Sequence, residues 1–121
     1  MTQEWKDLLA MVAQNGAINA EKTIDVLGEK ESKAMFEARD NFLDLKDKIN
    51  NDVPLEGKDF LNLWVGASIS CSLIEKNIKT WTAVVQKYKT DLLPKLYEVA
   101  AARPDPEKQQ ELFHNYFDKN I

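Results

Sequence analysis

Glu111 and His114 stand three residues apart near the end of this chain. On a helix that spacing puts a carboxylate and an imidazole on one face, half of the ligand set that di-iron helical bundles use. A complete site needs a second such pair and two further inward carboxylates, and His114 is the sole histidine. One copy of the chain cannot supply the set. Ser68, Ser70 and Ser72 flank the single cysteine, Cys71, but they fall mid-helix, far in sequence from the histidine and without a Gly-x-Ser-x-Gly turn. Cys71 has no basic residue within one helical turn to lower its pKa, Lys76 being slightly farther. Glu31 occupies an apolar-phase position beside Lys30 and Lys33 and reads as a solvated break. Asp40, Asp44 and Asp47, with Lys46 and Lys48, read as a solvated mixed-charge face. No phosphate-cradling glycine loop is present. No catalytic, cofactor-binding or metal-binding residue is therefore assigned, and the expectation is a protein that is not an enzyme.

The elements that carry these residues are helices. Phe60, Trp64, Ala67, Cys71, Ile74, Ile78, Trp81, Val85, Tyr88 and Leu92 alternate by four and three residues, a heptad stripe that predicts one long helix over residues 58–92. Four glycines and four prolines are too few for the turns of an all-β chain, so the class is all-α. A length of 121 residues suits one domain. Thr2 caps a first helix over about residues 3–15, carrying Trp5, Leu8, Leu9 and Val12 and stopped by Asn15 and Gly16. A second over about 17–50 carries Ile24, Leu27, Ala34, Ala38, Phe42, Leu45 and Ile49, and we read it as one rod with a weak point at residues 28–33. Residues 50–57, with Asn, Asp, Pro and Gly, form the clearest turn. Pro94 kinks or ends the third helix before a short one over about 95–102. Pro104 stops that helix, Asp105 caps the last one (about 106–119), and Pro106 and Glu107 suit its first turn. The expected architecture is an antiparallel helical bundle in which two long helices make a coiled-coil-like hairpin, with shorter helices at each end.

The stripe admits two burials, inside the chain against the other helices or against a second copy. Between Trp64 and Ile74 the residues are apolar or small all round, so for about three turns the usual charged face is missing. Phe60, Trp64, Ala67, Cys71, Ile74, Ile78, Trp81 and Val85 are accordingly the candidate interaction residues, and a homo-oligomer is expected. Trp64 and Trp81 lie on the stripe and read as core, whereas Trp5, Phe113, Tyr116 and Phe117 sit on terminal helices and are freer to serve an external surface. A net charge of −4 with only two arginines, Arg39 and Arg103, argues against nucleic acid. Glu4, Lys6 and Asp7 interrupt any signal-like run, no stretch is apolar enough to span a membrane, and the lone cysteine suits a reducing compartment; a cytoplasmic location is expected.

The run Val53-Pro54-Leu55-Glu56-Gly57-Lys58-Asp59-Phe60-Leu61-Asn62-Leu63-Trp64-Val65 lies between a long amphipathic helix and a long lysine-bearing one. This Pro-x-x-Gly-Lys break, with a tryptophan opening the next helix, resembles phasins, the small proteins that coat polyester granules in prokaryotes. The likeness covers about residues 36–95 and implies an all-helical, non-enzymatic protein that self-associates and lays an apolar face on a granule surface. The separate Trp5 helix and the aromatic helix after Pro104 depart from that pattern. The alternative is a soluble helical-bundle regulator or immunity-type protein that binds one specific protein partner, its acidic balance suiting a basic one.

Overall fold

Residues 1–77 and 86–119 are described by the computed structural model. Among them are five α-helices and no strand: α1 (Gln3–Leu27), α2 (Lys33–Asn50), α3 (Lys58–Asn77), α4 (Leu93–Ala101) and α5 (Pro106–Phe117). The all-α class is as expected, but the helix boundaries differ. Helix α1 begins where Thr2 Oγ1 accepts the Trp5 amide hydrogen and then runs straight through Asn15 and Gly16. Gly16 is buried, and a Cβ there would meet the Phe42 ring at 2.7 Å. The glycine is a point of close approach, and Leu9, Val12, Ala13, Ala17, Ala20 and Ile24 continue the buried face across it.

The rod expected over 17–50 is broken instead at its weak point. Gly28 has φ 82°, a left-handed value that ends the helix at little cost only for glycine. Its N–H still closes on the Ile24 carbonyl at 2.8 Å. A 3-10 turn (Glu29–Glu31) follows, and the buried Ser32 ties the corner by donating its hydroxyl to the Gly28 carbonyl at 2.5 Å. Glu31 is exposed, as its lysine neighbours suggested. Helix α2 then returns along α1: Gly16 meets Phe42, Gln14 bonds to Lys46, and Lys6 pairs with Asp52. Among the described residues these two helices make the most extensive contact, while α2 and α3 touch only lightly.

The expected turn lies between Asn50 and Lys58, with Asp52 and Gly57 at positive φ. Beyond it, the straight rod over 58–92 is overturned. On such a rod Glu75 and Lys89 would lie about 21 Å apart along the axis; in the structure Trp64 meets Tyr97, from beyond the rod's end, at 5.9 Å between ring centroids. Glu75 and Lys89 form an ion pair, and Tyr88 lies near Cys71. The segment that begins at Gln86 therefore packs back along α3. A heptad stripe specifies which face is buried, and two helices folded on each other satisfy it as well as one helix with an outside partner. Residues 78–85 lie outside the described residues.

Pro94 neither ends nor interrupts the returning helix. It occupies the first turn of α4, after a π-helical turn (Tyr88–Leu92) in which the Leu93 N–H bonds the Tyr88 carbonyl. The wider turn accommodates the missing proline donor and the bulk of its ring. Asp105 caps α5 as expected, accepting the Lys108 amide at 3.2 Å. The terminal helices then close the core. Trp5 stacks edge-on against Phe117 at 4.8 Å and donates its indole N–H to the Lys119 carbonyl at 2.8 Å. Trp5, Phe113 and Phe117 are buried, which corrects the expectation that terminal aromatics serve an external surface. Their docking seals the open end of the bundle.

Candidate interaction surface

Helix α3 is central because α1, the returning segment and α5 all pack on it. Gly66 sits under Val12, where an added Cβ would lie 3.1 Å from the Val12 carbonyl oxygen, so α1 and α3 approach backbone to backbone. Asn15 strengthens that approach by donating to Ser70 Oγ at 3.3 Å. On another side Phe60 meets Phe113 at 5.0 Å, and Leu63, Ala67 and Cys71 join Tyr88, Leu92, Leu96 and Val99 in one apolar cluster.

The candidate interaction residues therefore divide. Phe60, Ala67 and Cys71 are buried inside this chain and are not offered to an outside partner in this arrangement. Trp64 is half-buried against Tyr97. The Ile74 side chain and Ile78, Trp81 and Val85 lie outside the described residues. Of the two burials open to the stripe, its described part takes the one inside the chain.

A different strip remains at the surface. Leu61 is 43% exposed, Ser72 is exposed, and Asn62, Val65, Ser68, Ile69 and Leu73 are half-buried. Leu61, Val65, Ile69 and Leu73 supply its apolar side chains. Their spacing, every fourth residue from Leu61, is legible in the sequence as a second stripe beside the heptad one. Ser68, Ile69, Ser72 and Leu73, with Asn19 of α1, line a groove of about 280 Å³. The strip holds no charged side chain over three turns.

The reactive groups do not converge. Burial pushes the Cys71 thiol pKa up, and the nearby Glu75 carboxylate pushes it further, so the thiolate is disfavoured. Ser68 Oγ donates to the Trp64 carbonyl at 2.9 Å, the back-bond expected of a helical serine. His114 is exposed and its Nδ1 lies 3.0 Å from Asp118 Oδ2, so its near partner is not Glu111. Among the described residues no group of three metal-ligating side chains gathers, and no helix is long and apolar enough to cross a membrane.

The sequence did not foreshadow the Tyr88 environment. Its hydroxyl is buried with no hydrogen-bond partner among the described residues, directly at the π-helical turn. No family model, curated protein or solved structure matches this chain.

Proposed function

We propose that this chain is a non-enzymatic helical protein that works by contact, self-associating through the outward strip of α3. The observation that supports the reading is the strip itself. Solvated helix faces carry charge, and here Leu61, Val65, Ile69 and Leu73 alternate with serine and asparagine over three turns without one. Small side chains at Ser68 and Ser72 let a second helix approach closely. In the phasin-like form of this reading, the same strip lies on an apolar granule surface, where each Å² of apolar area removed from water contributes about 25 cal/mol.

Light scattering across a concentration series tests it, comparing the natural chain with Ile69→Asp. The natural chain is expected to assemble and the variant to stay monomeric with its helicity kept, since the substituted site lies off the core. A natural chain that stays monomeric at high concentration and ignores hydrophobic particles overturns the proposal. The second reading, a regulator that binds one protein partner, draws on the net charge of −4. It gains if a single stoichiometric basic partner is captured and Ile69→Asp releases it.

A further inference from the structure

We draw no further inference here: the strongest candidate, the aromatic patch at the α3–α4 edge where the 60% exposed Tyr97 ring meets the half-buried Trp64, is an apolar face and nothing in the structure shows what covers it.

Discussion

The two faces of α3 are built from similar side chains and meet different fates. Phe60, Leu63, Ala67 and Cys71 on one face are buried against the returning segment and α5. Leu61, Val65 and Ile69 on another are left partly in water. Hydrophobicity does not separate the two sets; the position of the neighbouring helices does. The inner face is structural because the chain folds back along it, whereas Leu61, Val65 and Ile69 on the outer face keep part of their surface in water.

That contrast is broken or sharpened first by paired truncations. Phe60→Ala removes a fully buried ring from between Phe113 and the apolar cluster, and its expected cost is about 3–5 kcal/mol in denaturant unfolding. Leu61→Ala, one residue along, should cost far less, about 0.5–1 kcal/mol, because its side chain is 43% exposed. Comparable losses at the two positions would mean that the outer face is structural too, and the proposed contact surface would fall with it.

The inner face also carries one flaw. Tyr88 is buried beside the cluster, yet its hydroxyl has no partner among the described residues, and burial pushes its pKa up. Desolvating a hydroxyl without a compensating bond costs stability, so Tyr88→Phe is expected to stabilise the chain by about 1 kcal/mol and raise its melting temperature. Destabilisation would show that the hydroxyl is bonded in solution, and the π-helical turn at Tyr88 would then be holding a polar contact in the core.

Much of this arrangement could be read from residue order. The Thr2 and Asp105 caps, the turn before Lys58 and the buried phase of the α3 stripe follow from local backbone chemistry and helical period. The failures share a cause: each depended on what another helix does. Gly16 and Gly28 are the same residue type in helical sequence, but Phe42 lies against the first and packs it into a continuing helix, while the second faces open space and adopts a positive φ. No property of residues near position 16 announces Phe42. Likewise, Phe60 through Leu92 keeps one heptad phase whether the helix is straight or folded back, and only contacts such as Glu75 with Lys89 distinguish the two. The contact strip was half legible: the missing charge was visible, but the side of α3 left uncovered depended on that reversal.

The smallest effect expected concerns the clasp between the chain ends, which closes the core behind the inner face. Asp118 receives a hydrogen bond from the Met1 amine at 2.5 Å and lies 3.0 Å from His114 Nδ1, and the amine's bond is the main cause holding its pKa below the ordinary aspartate value. A lowered folded-state pKa means that the carboxylate stabilises the fold fully at pH values above the unfolded aspartate pKa of about 3.9. The contribution is lost as pH falls below that value and through the folded pKa. With its side chain 46% exposed, Asp118 is screened by water, so the pair should contribute less than about 1 kcal/mol at neutral pH. Asp118→Asn should accordingly lower the melting temperature slightly at pH 7, and the gap from the natural chain should close as the pH approaches 3. A gap that stays constant across that range would assign the loss to α5 packing, with no part played by the carboxylate's charge.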